Sequence, residues 1–196
     1  MTDENEKAAP KETYGPATRN DIAWIWQHVH QAIDELEFYA EEFKAFEKQR
    51  MNMGFLTALF EHNPHHLLVL KLDGERAGFM VSGPDNGVVF LYWSYILPAF
   101  RKSRLAQKAN KYWIEYFDNG EFHKASTFTR PENRTALIVL KRFGWKEAAH
   151  LEKHIFGEDY KIFEIPFTKT TKGYRPFVVK GRTGRLIDKL KRAFAG

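Results

Sequence analysis

Cysteine is absent from this chain of 196 residues. That excludes a disulfide framework, a thiolate nucleophile and Cys-ligated zinc, so any chemistry runs without a sulfur nucleophile. Long hydrophobic runs are also missing. The longest apolar stretch, Val88 to Phe100, is interrupted by Ser94 and Pro98 and is too short to cross a bilayer. The start, "MTDENEKAAPKE", is polar and acidic and lacks the apolar run of a targeting segment. These absences imply a soluble protein of cytoplasmic type with no transmembrane segment. Internal repeats and low-complexity segments are likewise lacking. Acidic residues run out at the C-terminal end. From Thr168 to Gly196 nine Lys and Arg face only Asp188, a net +8 against +5 for the chain, leaving −3 for residues 1–167.

What is present is a folding composition. Hydrophobic residues make up 43% of the chain and aromatics 15%, including 17 Phe and 8 Tyr, far from the depleted make-up of a disordered chain. The length suits one domain with a real core. The expected organisation is a mobile N-terminal segment at 1–12, a domain at 13–167 and a basic C-terminal extension at 168–196.

"TYGPATRND" reads as a short strand and a helix start, with Thr18 and Asp21 spaced as a capping box. Apolar residues from Ile22 through Ile25, Val29, Ile33 and Leu36 to Phe43 recur every three or four positions and predict one long helix. Met51, Phe55, Leu56, Leu59 and Phe60 predict a second, stopped before Asn63-Pro64. Three antiparallel strands follow in "HLLVLKL", "ERAGFMVSG" and "VVFLYWSYI", with turns at Asp73-Gly74 and Pro84 to Gly87. A helix begins after "ILPAFRKSR", burying Leu105, Ala109, Tyr112, Trp113 and Tyr116 and stopping near Gly120. "FHKASTFT" is a strand, "NRTALIVLKRF" a helix ended at Gly144, and the runs around 148–156 and 160–167 are strands. The order is β, α, α, β, β, β, α, β, α, β, β, an α/β (α+β) arrangement around one mixed sheet.

The junction "ILPAFRKSRLA" clusters Arg101, Lys102 and Arg104 where a helix begins. Helix starts carry free N–H groups and the positive end of the dipole, so this is a candidate anion site. The alternative is a solvated helix start whose charges only keep the surface wet.

Four segments, in order, resemble the GCN5-related N-acetyltransferase (GNAT) family across about residues 13–167. "GPATRNDI" looks like its opening strand and first helix and "LDGERAGFM" like its second hairpin. "ILPAFRKSRLA" is similar to its acetyl-CoA signature and "PENRTALIVLKRFGW" to its later NxxAxxLYxxxGF motif. The resemblance implies the acyl-CoA N-acyltransferase fold, a mostly antiparallel mixed sheet of about seven strands flanked by helices. It implies acetyl transfer from acetyl-CoA to a primary amine of a small molecule or protein, by direct attack. In the family the strand before the signature splays from its neighbour and the pantetheine arm lies in the wedge, while the pyrophosphate sits on the helix start. Carried over, Ile96 offers backbone to the cofactor arm, Arg101, Lys102, Ser103, Arg104, Leu105 and Ala106 cradle the pyrophosphate, and Asn133 touches the pantetheine region. Asn133 is equally an ordinary N-cap, and the two roles are compatible.

Two positions depart from the family. Its first signature glycine falls at Arg104, and the tyrosine that often protonates the departing thiolate falls at Leu140. The strand "VVFLYWSYI" also lacks a carboxylate base, so the candidates to accept the amine's proton are Tyr95, Ser94 through water, Glu37 and Glu41. These departures support an alternative reading, a catalytically inactive binding or assembly module on the same fold.

The aromatic residues Trp24, Trp26, Phe38, Tyr39, Phe43 and Phe46 read first as core. In this family the first helices line the acceptor side, where an aromatic, acidic rim suits a cationic amine. The eight histidines do not make a metal site: His28 and His30 point apart on a helix, and His62, His65 and His66 straddle a turn. The tail "TGRLIDKLKRAFAG" is a basic amphipathic helix that docks on protein or, failing that, nucleic acid.

Overall fold

In the computed structural model, residues 10–101 and 103–169 are described. The expected tail helix and residues 1–9 lie outside them, as does Lys102. Strand β1 (Glu12–Pro16) begins one residue before the expected domain start. Lys11 is tied down by Asp73, whose Oδ1 accepts from Lys11 N at 2.7 Å and whose own N donates to Lys11 O at 2.9 Å. The capping pair also forms, since Asp21 Oδ2 accepts from Thr18 N at 2.9 Å and Thr18 Oγ1 at 2.6 Å.

Helices α1 (Ile22–Glu35), α2 (Glu41–Arg50) and α3 (Met53–His62) follow. The single helix expected from Ile22 to Phe43 is therefore two. Leu36 takes an extended conformation at ψ 98°, and the connecting turn brings Tyr39 to 4.4 Å from the Phe43 ring and 6.2 Å from that of Trp93. The apolar spacing persists through the break because both helices bury the same face, and periodicity registers burial rather than chain continuity. Glu41 and Glu42 in the first turn of α2 and Lys48 and Arg50 in its last match the helix dipole.

Then come β2 (Leu67–Leu72), β3 (Glu75–Asp85), β4 (Val88–Ile96), α4 (Leu105–Phe117), β5 (Lys124–Thr129), α5 (Arg134–Arg142), β6 (Lys146–Ile155) and β7 (Glu158–Pro166). The sheet has seven strands in the order β1-β2-β3-β4-β5-β7-β6, and only β4 and β5 run parallel. A parallel pair needs a crossover, which α4 supplies. Alternation along β2 feeds two cores: Leu68 and Leu70 pack with Trp113 and Phe117 of α4, while Leu67 and Val69 pack with Ile25, Val29 and Leu59 of α1 and α3. Gly144 closes α5 at φ +84°, the left-handed conformation a helix stop favours. None of the described helices is long and apolar enough to cross a membrane.

Candidate active site

The site begins where the sheet comes apart. Strands β4 and β5 pair only at Val89–Ala125 and Phe90–Ser126, and Thr127 Oγ1 then donates to Leu91 O at 2.8 Å. Beyond that bond the two strands share no ladder, while β3 still holds the other edge of β4 as far as Ile96. Alternate peptide groups of residues 92–96 therefore face an open fork, where polar backbone needs a partner.

A bulge re-aims the side chains at the same place. Val81 pairs with Trp93 and Ser82 with Leu91, so Tyr92 is the extra residue. Val89 and Leu91 pack toward α4, but Trp93 and Tyr95 pack toward α1. Without the bulge an unbroken alternation would put all four on one face. Ser94, exposed, stands on the opposite side of β4 from Tyr95.

The loop after β4 is cationic in sequence, and its Arg101 is engaged. Arg101 Nε donates to Ile96 O at 3.3 Å and Nη2 to Tyr95 Oη at 3.1 Å, with the guanidinium 5.5 Å over the Tyr95 ring. Tyr95 Oη in turn donates to the Glu35 carboxylate at the end of α1, which lies 3.8 Å from Arg101 Nη2. The bond from Tyr95, that from Gln31 and the guanidinium hold Glu35 below the ordinary carboxylate range. Burial, with the Glu35 bond, pushes the Tyr95 phenol up to about 12. At neutral pH the pair is a carboxylate and a neutral phenol.

Ser103 Oγ donates to Phe100 O at 2.7 Å, Leu105 is buried in the core, and Ala106 is half-buried at the helix start. Arg104 has an ordinary φ of −90° and an exposed side chain, so its backbone does not require glycine. Its N–H donates to Glu12 Oε1 at 3.1 Å, and Glu12 Oε2 lies 2.5 Å from Lys108 Nζ. Lys108 first, then the Arg104 N–H, hold Glu12 below its usual range. A carboxylate from β1 thus occupies part of the helix start. Asn133 Oδ1 accepts from Ala136 N at 3.1 Å, the N-cap role. Leu140 is core.

On the α1 side of the fork lies a cavity of about 300 Å³ walled by Tyr39, Phe43, Tyr92, Trp93, Phe128 and Tyr160. Glu47 and Arg50 of α2 also line it. Glu47 is 1% exposed; its Oε1 accepts from Trp93 Nε1 at 2.7 Å and from Arg50 Nη2 at 2.7 Å. Burial pushes the Tyr92 and Tyr160 phenols up to about 12, so both remain neutral.

The chain matches the acetyltransferase (GNAT) family over residues 23–145. The chain belongs to the GNAT family. Its fold is similar to that of yncA, a putative acetyltransferase from Salmonella typhimurium solved with its cofactor acetyl-CoA: TM-score 0.66 and 15% identity, over 85% of this chain and 99% of the other. It is also similar to Ard1 from Thermoplasma volcanium, at 0.62 and 13% over 81% and 99%. A third likeness is to the ribosomal-protein-S18-alanine N-acetyltransferase from Escherichia coli, at 0.58 and 14% over 85% and 100%. No curated protein matches the sequence at a significant level.

The fork is the wedge expected of a GNAT protein, and Ile96, Arg101, Ser103, Arg104, Leu105 and Ala106 are gathered along one side of it, from the end of β4 to the start of α4. Of the proton-acceptor candidates, Tyr95 lies beside the fork, Ser94 on the opposite face of β4, Glu37 is exposed between α1 and α2, and Glu41 is exposed and paired with Lys44 at 2.9 Å. The carboxylates that reach the site are Glu12 at the helix start, Glu35 beside Tyr95, and Glu47 and Asp85 on the cavity lining. Glu47 falls four residues after Phe43 and four before the buried Met51, on the inward face of α2, so an acid inside an apolar stripe was its signal. Glu12 and Tyr160 carried none, being brought in by sheet pairing. Of the histidines, His66 is buried against Phe117 and the His65 ring nitrogen lies 3.0 Å from Tyr112 Oη. Among the described residues no three His, Asp or Glu side chains converge as metal ligands.

Proposed function

We propose that this protein transfers an acetyl group from acetyl-CoA to a primary amine by direct attack, without a covalent enzyme intermediate. One observation carries the reading: a fork between β4 and β5 that bares the β4 backbone, with the cationic start of α4 on one side and an aromatic cavity on the other. The residues present fit the cofactor. The open edge at 92–96 matches an arm that bonds backbone, and Leu105 and Ala106, in the first turn of α4, offer peptide N–H groups that need no reorganisation for a pyrophosphate, while the Ser103 N–H is held by Phe100 O at 3.0 Å. Arg104 stands at the same start to add a charge-assisted bond, and Arg101 is within reach on release from Tyr95. Ile96 and Asn133 lie along the arm's path.

Bound acetyl-CoA supplies an activated acyl group whose thiolate, like cysteine's at a pKa of about 8.5, departs without a dedicated acid. That tolerates leucine at 140. The chain's own work is to orient the amine and take its proton. Glu35, ionised and held by Tyr95 Oη, is the acceptor through water, with Tyr95 as its positioning residue. Free N–H groups on β4 stabilise negative charge on the carbonyl oxygen.

The test is a titration of the full chain with acetyl-CoA by thermal shift, then a screen of amines for CoA release. At a hundredfold excess over Kd, stabilisation of about 2.7 kcal/mol is expected. An unchanged melting temperature at millimolar acetyl-CoA overturns the proposal. Glu12 on the Arg104 N–H favours a second reading, a silent binding module in which the anion position is filled internally. Its partner would be a macromolecule held by the basic extension from residue 168 onward.

A further inference from the structure

We infer that the cavity on the α1 side binds a primary amine carrying a flat apolar body, a single ammonium on an aralkyl group. That this ligand is also the acetyl acceptor rests on the proposed acetyl transfer; that it binds does not.

The size, walls and charge of the cavity point the same way. About 300 Å³ is the low end of small-ligand pockets and suits one ring with a short chain. Rings from three sources form the walls: Tyr39 and Phe43 from the α1–α2 corner, Tyr92 and Trp93 from the bulge, Phe128 and Tyr160 from β5 and β7. Aromatic faces are electron-rich and attract a cation while packing against a flat hydrocarbon.

The charged groups on the lining are Glu47, Asp85 and Arg50, a net of −1. Arg50 Nη2 stands 2.7 Å from both Glu47 oxygens, but its hydrogen bond goes to Oε1. Oε2 is buried with a charge contact and no hydrogen bond. An acceptor of that kind behind an aromatic wall attracts a donor, and in a low-dielectric wall a net negative charge repels a carboxylate on the same body. A polyamine is disfavoured because Arg50 offsets one of the two lining acids, leaving a single net negative charge for two ammonium groups.

The mouth has a matching device. Phe46 lines the cavity and meets Phe156 edge to face at 5.7 Å, with each ring about half exposed (49% and 50%). Phe156 sits in the β6–β7 turn at φ +51°, left-handed backbone that a bulky side chain rarely adopts. The turn could carry a small residue at no such strain, yet it presents a ring to the ring on α2. Two exposed aromatics at the rim extend the apolar surface past the cavity to the body of the amine.

The experiment is a calorimetric titration of the full chain with 2-phenylethylamine, phenylacetate and n-propylamine, without any acetyl donor. 2-Phenylethylamine is expected to bind at least about tenfold more tightly than either of the others, since one lacks the charge and the other the ring. Phe46→Ala, at an exposed position that leaves the core intact, is expected to weaken it about fivefold. Asp85→Asn, also exposed, is expected to weaken it about threefold and reduce its salt dependence. Phenylacetate binding as tightly as the amine overturns the inference, as does an affinity that neither substitution changes. The two proposals fail separately. If 2-phenylethylamine binds but no amine releases CoA, acetyl transfer falls and this site stands. If other amines release CoA while 2-phenylethylamine neither binds nor reacts, the reverse holds.

Discussion

Replacing Glu12 with Gln separates folding from cofactor binding because the two should move in opposite directions. In the folded protein Glu12 accepts the Arg104 N–H at 3.1 Å and faces Lys108 Nζ at 2.5 Å. The lysine side chain is 50% exposed, so that ion pair contributes only about 0.5 kcal/mol. The carboxylate on a helix-start N–H adds about 0.5 to 1 kcal/mol. Together these are about 1 to 1.5 kcal/mol, and a pyrophosphate arriving at the same N–H must displace them. Glu12→Gln keeps the shape and removes the charge. Acetyl-CoA is expected to bind about five- to tenfold more tightly, at about 1.4 kcal/mol per decade. The melting temperature without ligand is expected to fall by about 2 to 4 °C, the usual response of a domain this size to 1 kcal/mol. Calorimetric titration and a melt of the same preparation give both numbers. A lower melting temperature with unchanged or weaker acetyl-CoA affinity rules out this competition, since Glu12 would then support the fold without contesting the anion position. If the natural chain fails to bind acetyl-CoA and the variant binds it, the silent-module reading gains and Glu12 is its cause.

Two further outcomes are expected. His66 is buried, and burial lowers its pKa to about 3, from about 6.5 when the chain is unfolded. Below about pH 6.5 the unfolded state binds the extra proton, so stability is full above that pH and is lost at up to about 1.4 kcal/mol per unit as pH falls toward 3. Denaturant unfolding between pH 7 and pH 4 checks this, and a His66→Gln variant that keeps the same acid slope would assign the slope to other groups. Tyr95→Phe removes the hydroxyl between Arg101 and Glu35. On the proposed mechanism kcat falls about 10- to 100-fold and its pH profile shifts, with the acetyl-CoA Kd unchanged; a parallel loss of binding would make Tyr95 a structural support of the loop.

Much of the fold was legible because it is written in local rules. Alternation marked β2 to β4, Gly144 and the Asn86–Gly87 turn stand at positive φ where breaks were expected, and the order of motifs placed the chain among the GNAT proteins. The long first helix is two because Leu36, Ala40 and Phe43 keep helical spacing while the chain between them turns to bring Tyr39 to Trp93. The site was legible as a place and not as a set of contacts. "ILPAFRKSRLA" marks the fork and the helix start, but nothing nearby in the chain says that Arg101 turns back to Tyr95 and Glu35.

Composition and short-range spacing were enough for the strands and their order, the family and the lack of a protein thiol, but not for the break between α1 and α2. Which acids matter is set by long-range contacts. Glu12 arrives through the pairing of β1 with β2, Glu35 through the end of α1, and Glu47 through the turn between two helices, each a contact between positions dozens of residues apart. The bulge at Tyr92 is the clearest case: one extra residue in β4 sends Trp93 and Tyr95 to the α1 face, and it exists only because β3 opposes two residues with one.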